Sequence, residues 1–163
     1  MLPTSEELRI IRRISILYEF RMLAAELNFG VPNIDLPWSC GGTVNPSCFV
    51  GHQLLVLFLP TDEREHAAEI DSYETLAAEL AGTDAWFLVI GTEDTKTLPT
   101  SSIPIALDPN GKAWQAFNKV AKSVSLDRSK GAVFLFTRGG AFHRVWLGQG
   151  HLSEVVQELL SRG

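Results

Sequence analysis

Cysteine is scarce in this chain: Cys40 and Cys48 are the only two among 163 residues. Two thiols are too few for a disulfide scaffold or a cysteine-only zinc site. Basic clusters are also missing. Lys and Arg are scattered, and the net charge of −5 argues against nucleic acid or an anionic membrane as a main partner. No apolar run approaches the ~20 residues a membrane helix needs. Residues 1–7 lack the basic-then-apolar layout of a secretion signal. The one sequon-like triplet, Asn45-Pro46-Ser47, has proline in the forbidden middle position. A cytoplasmic protein is therefore the expectation. There are no internal repeats and no low-complexity linker, so the length fits one domain with a real core.

What is present is organised around Gly51 to Pro60. Leu54 to Pro60 carry no polar side chain, and such a run reads as a strand buried on both faces. Pro60 stops it, because proline cannot donate to the ladder. Residues 61–66 follow at once as a helix start. Thr61 or Asp62 can cap the free N–H groups, and Asp62, Glu63 and Glu65 sit where the helix dipole favours carboxylates. A buried strand feeding a helix is half of a βαβ unit, and such folds place ligands and chemistry at the carboxyl end of the strand. The expected concavity is thus rimmed by Pro60, Asp62, Glu63 and Arg64.

The remaining elements follow from pattern. Residues 5–28 read as an amphipathic helix with Ile10, Ile14, Leu17, Phe20, Ala24 and Leu27 at helical spacing. Its apolar face either covers the rest of the domain or joins a second subunit as a homodimer. Residues 1–30 are accordingly an extension, and 31–163 the folded domain. Residues 33–49 read as a hairpin turning at Gly41-Gly42. On that register Cys48 lies down the returning strand near Asp35, too far from Cys40 for a disulfide. The helix 62–81 and the apolar strand 85–91 come next, the strand parallel to the first. A polar loop, a short extended piece at 103–107, an Asp108-Pro109-Asn110-Gly111 turn and a short helix at 112–118 follow. Residues 132–137 and 141–147 form a hairpin over Arg138-Gly139-Gly140, and 153–161 close the chain as a helix. The expected fold class is α/β, a βαβ-α-ββα core whose mixed sheet has two parallel strands and a terminal antiparallel hairpin. Trp86 reads as core, and core is also the reading for Trp38, Trp114 and Trp146. His143 is expected outside and His52 in a structural role. His151 neighbours the cap of the last helix.

This order resembles the thioredoxin fold, and residues 31–60 resemble the peroxiredoxins of the alkyl hydroperoxide reductase/thiol-specific antioxidant family. The likeness rests on Val31-Pro32, Ile34, Leu36, Gly41, Thr43-Val44, Phe49, Gly51, Leu54-Leu55 and Phe58-Leu59-Pro60. It continues through Tyr73, Leu76, Ile90-Gly91, Asp94, Pro104, Leu107-Asp108, Gly111, Val133-Phe134-Leu135 and Gly140. The resemblance implies a thioredoxin-like fold and an antioxidant, redox setting. It also implies a peroxidatic Cys on the first helical turn and a supporting Arg just before the 132–137 strand. Neither carries over. Counting from Pro60 reaches Arg64 or Ala67, and no cysteine follows Cys48. Before the late strand stand Ser129-Lys130-Gly131, so Lys130 is the candidate substitute for the Arg.

The electrostatics point the same way. A reactive thiolate needs a helix N-terminus and nearby cations. Here Asp62, Glu63 and Glu65 crowd that terminus, which suits helix stability or a positive or hydrogen-bonding ligand. Asp62, His66 and Glu69 share a helix face but read as a solvated surface, so no metal and no cofactor are expected. Three functions compete: a peroxiredoxin-like protein without peroxidase activity that binds a partner or small ligand at the vestigial site (Pro60, Thr61, Asp62, Glu63, Arg64, Ala67, Lys130); a thiol oxidoreductase using Cys40 or Cys48; and an oligomerising module.

Overall fold

The computed structural model describes residues 30–92, 103–121, 127–148 and 150–162, without the side chains of Glu63, Glu65 and Ala67 in the first helix and of Arg162 in the last. The amphipathic stretch 5–28 and the loop after the second long strand lie outside the described residues.

The apolar run 54–60 becomes the central strand of a five-stranded sheet. We label the strands β1 (Leu36–Pro37), β2 (Thr43–Val44), β3 (Gln53–Phe58), β4 (Ala85–Thr92), β5 (Ile105–Asp108), β6 (Ala132–Phe136) and β7 (Phe142–Leu147). The helices are α1 (Glu63–Leu80), α2 (Lys112–Ala121) and α3 (Leu152–Arg162). The sheet order is β5-β4-β3-β6-β7. β4 is parallel to both β3 and β5, and β6 is antiparallel to both β3 and β7. Three strands are therefore parallel, where the sequence pattern led us to expect two. The piece at 103–107 is too short and too broken by Pro104 to show its direction on its own.

Alternation along β3 builds two cores. Leu54, Val56 and Phe58 face α2 with Phe117, Phe134 and Phe136, while Leu55, Leu57 and Leu59 face α1 and α3 with Ile70, Leu76 and Val155. Every residue of β3 is buried, which is why its sequence shows no polar alternation.

Three further expectations need correction. The segment after β2 is a 3-10 helix, Pro46–Phe49, and not a returning strand, because Asn45 caps it by accepting from the Ser47 N–H and Pro46 sits at its start. Cys48 therefore rides a helical turn. Trp86 is 51% exposed. β5 pairs with β4 only from Val89 onward, so the first residues of β4 overhang their neighbour and leave the indole against Phe49 and His52 at the surface. His143 is half-buried, with Nε2 2.7 Å from Oε1 of Glu158 on α3.

Candidate functional site

At the carboxyl end of β3 the chain turns through Pro60 and Thr61 into α1. Asp62 caps α1, accepting from the Arg64 N–H at 3.0 Å. The Arg64 side chain folds back on the same carboxylate, Nε at 3.3 Å and Nη2 at 3.2 Å. These bonds from Arg64 hold the Asp62 carboxyl below the usual carboxylate range. Glu63 and Ala67 fall on the first turns of α1, but their side chains lie outside the described residues. One turn on, His66 is buried and its Nε2 lies 2.5 Å from the Pro60 carbonyl oxygen. A carbonyl can only accept, so this nitrogen carries the proton.

The turn before β6 meets this corner. Thr61 N–H donates to Ser129 O at 3.1 Å. Gly131, at φ 76°, runs so close to β3 that a Cβ there would lie 2.5 Å from Phe58 O. Asp127 accepts from both N–H and Oγ of Ser129, and that Asx-type turn directs Arg128 inward. Arg128 donates through Nη1 to Leu59 O. Its guanidinium lies 5.5 Å from the centroid of Phe58 and 5.4 Å from that of Trp114. Nη2 is buried and has no hydrogen-bond partner among the described residues. Burial pulls the Arg128 pKa down, and the nearby Asp108 opposes it. Asp108 is itself buried and caps α2, accepting from Ala113 N–H at 2.8 Å and Trp114 N–H at 3.0 Å. On the other face of the sheet Tyr73 is buried, and that burial, followed by Glu69, drives its phenol far above the usual range.

The sequence points to Lys130 as the cation of this corner. Lys130 is exposed and lines a cavity with Pro60, Glu69, Tyr73 and His151. The cavity measures about 10 Å³, room for about one water. The cation packed under the strand end is Arg128, two positions earlier. The 3-10 turn at 128–130 takes up residues that a count back from the strand treats as extended. The signal available beforehand was Asp127-x-Ser129.

The cysteines are elsewhere, both exposed and neither in a disulfide. Cys40 sits in the β1–β2 turn, next to Ser39, whose N–H bonds Ile105 O on the outer strand. Cys48 lies just before Gly51, whose N–H bonds Arg138 O at the opposite end of the sheet. The six residues of β3 put roughly 20 Å between that end and Pro60. Of the three helix-face residues weighed as metal ligands, Asp62 holds Arg64, His66 holds Pro60 O, and Glu69 bonds Tyr73.

Comparison with solved structures identifies the architecture. Peroxiredoxin Q of Xanthomonas campestris superposes with a TM-score of 0.64 at 18% identity, covering 79% of this chain and 91% of its own. The pneumococcal exposed lipoprotein thioredoxin from Streptococcus pneumoniae gives 0.61 at 17% identity, covering 79% and 98%. MTB dsbF gives 0.62 at 14%, covering 80% and 96%. No protein-family model matches the sequence, and no curated protein does. The chain therefore has a thioredoxin-like fold of the kind peroxiredoxins use.

Proposed function

We propose that this chain is a thioredoxin-fold protein that has lost hydroperoxide chemistry and acts by binding a partner or small ligand at the Pro60 end. One observation carries the reading. The strand-to-helix turn contains no thiol, and its groups are engaged with one another: Asp62 with Arg64, His66 with Pro60 O, Thr61 with Ser129 O, Arg128 with Leu59 O. Attack on a peroxide oxygen needs an accessible thiolate in a positive surround. Both thiols of this chain lie off that turn, Cys40 between β1 and β2 and Cys48 on the 3-10 helix 46–49. The cavity holds about one water, which favours a partner lying across the exposed rim of Thr61, Arg64, Ser129 and Lys130 over an engulfed ligand.

The exposure of Cys40 and Cys48 keeps one other reading, a thiol oxidoreductase working from the hairpin region. One measurement separates the two: hydroperoxide loss under excess dithiothreitol, for the wild type and a Cys40→Ser/Cys48→Ser variant. We expect both to match the reductant background. Turnover well above background in the wild type, abolished in the variant, would replace our reading with the oxidoreductase.

A further inference from the structure

Four large apolar side chains are exposed among the described residues, and three of them share one end of the sheet. Val50 is 43% exposed, Trp86 51% and Leu160 59%. All three gather where β3 and β4 begin. Val50 packs over Gly140 in the β6–β7 turn, and Trp86 is the second residue of β4. Leu160 lines a cleft of about 250 Å³ with Leu80, Leu159, Gln53 and Arg138. A second hollow of about 270 Å³, lined by Trp86 and Phe87, shares Leu80, Thr83 and Ala85 with the first. Gln53 is only 6% exposed, and its Oε1 has no hydrogen-bond partner among the described residues. A buried acceptor without a donor beside an apolar cleft marks an incomplete face.

The chain supplies a cover at that same place. Gly30 bridges Ala141, and Val31 N–H donates to Gly140 O at 3.0 Å. Residues 1–29 thus join the fold at the β6–β7 turn, beside Val50 and Arg138. Their sequence carries an apolar stripe of Ile10, Ile14, Leu17, Phe20, Ala24 and Leu27. A helix over 5–28 would be about 36 Å long, enough to cross the whole end of the sheet. We propose that this segment caps its own domain there, seating the stripe over Trp86, Leu160 and the cleft above Gln53. A second copy of the chain is the competing occupant. The short connection favours the intrachain arrangement, because the effective concentration of a tethered segment is far above that of a free partner.

Hydroxyl-radical footprinting of the full chain tests this. Val50, Trp86 and Leu160 should label several-fold more slowly in the wild type than in an Ile14→Asp/Leu17→Asp variant. Leu147, 42% exposed at the opposite end of the sheet, should label equally in both and reports any global unfolding. Sedimentation should show a monomer at every concentration. Equal labelling of the three residues in both proteins would overturn the proposal. Protection that appears only as dimers form would assign the face to a second copy instead. Should the double variant fail to fold, Leu160→Glu on the surface of α3 gives the reciprocal reading. It should raise labelling of Ile14 and Leu17 several-fold, and unchanged labelling there would overturn the proposal.

Discussion

Arg128 does its work by shape as much as by charge. The planar guanidinium lies against two aromatic faces and donates to the Leu59 carbonyl just past β3. Arg128→Ala removes a cation–π contact of about 0.5–2 kcal/mol and strands a carbonyl at about 1–3 kcal/mol. We expect a net loss of about 2 kcal/mol in urea unfolding. Arg128→Lys should recover less than half, since an ammonium cannot stack. A second residue-scale feature is Asp84, which joins His52 Nδ1 and Arg138 Nε, each at 2.7 Å. The hydrogen bond from His52, then that from Arg138, lowers its pKa below the ordinary 3.8. A carboxyl depressed in the fold stabilises it above the unfolded value and loses that contribution as pH falls through the folded one. Thermal scans from about pH 5 down to about pH 2.5 should therefore show the wild type losing stability faster than Asp84→Asn. Parallel curves would show that the bridge adds nothing.

At the scale of elements, the long pieces were legible and the short ones were not. β3, α1, the β6–β7 hairpin and α3 announce themselves through uninterrupted apolar runs or helical spacing. β5 and the 3-10 turns at 46–49 and 128–130 are too short for any period to show, and their geometry is fixed by contacts distant in sequence. That is why the sequence points to Lys130 at this corner without showing Arg128 packed beneath it, and why it puts Cys48 on a strand. Trp86 reads as core in the sequence because an apolar strand shows no sign of where its neighbour ends. Gly131 illustrates the same dependence. No periodicity around it marks the position for glycine, yet Gly131 closes the 3-10 turn at positive φ and β6 starts there against the β3 backbone. Gly131→Ala must adopt φ 76° and place a methyl 2.5 Å from Phe58 O. Left-handed strain alone costs about 1–2 kcal/mol, and the clash adds to it. Gly41→Ala, at φ 106° with nothing within 4 Å, carries the strain without the clash. Chemical denaturation should rank Gly131→Ala well below Gly41→Ala, and equal values would refute the close approach.

For the whole molecule, both thiols face solvent and neither is bonded. A thiol reagent should titrate two groups per chain in the native, unreduced protein, without denaturant. A count of zero would mean a disulfide that the fold does not show. The sheet itself has one outer strand, β5, already occupied: Ser39 N–H bonds Ile105 O at 2.8 Å, and Trp38 bridges Ala106. At the other margin, β7 meets only Gly30, at Ala141, among the described residues. Growth by strand addition needs a free margin on each side of the repeating unit. With the β1–β2 hairpin bonded to the start of β5, strand addition to the five-stranded sheet is directed to the β7 side, where a second chain would lie antiparallel or parallel along Phe142–Leu147.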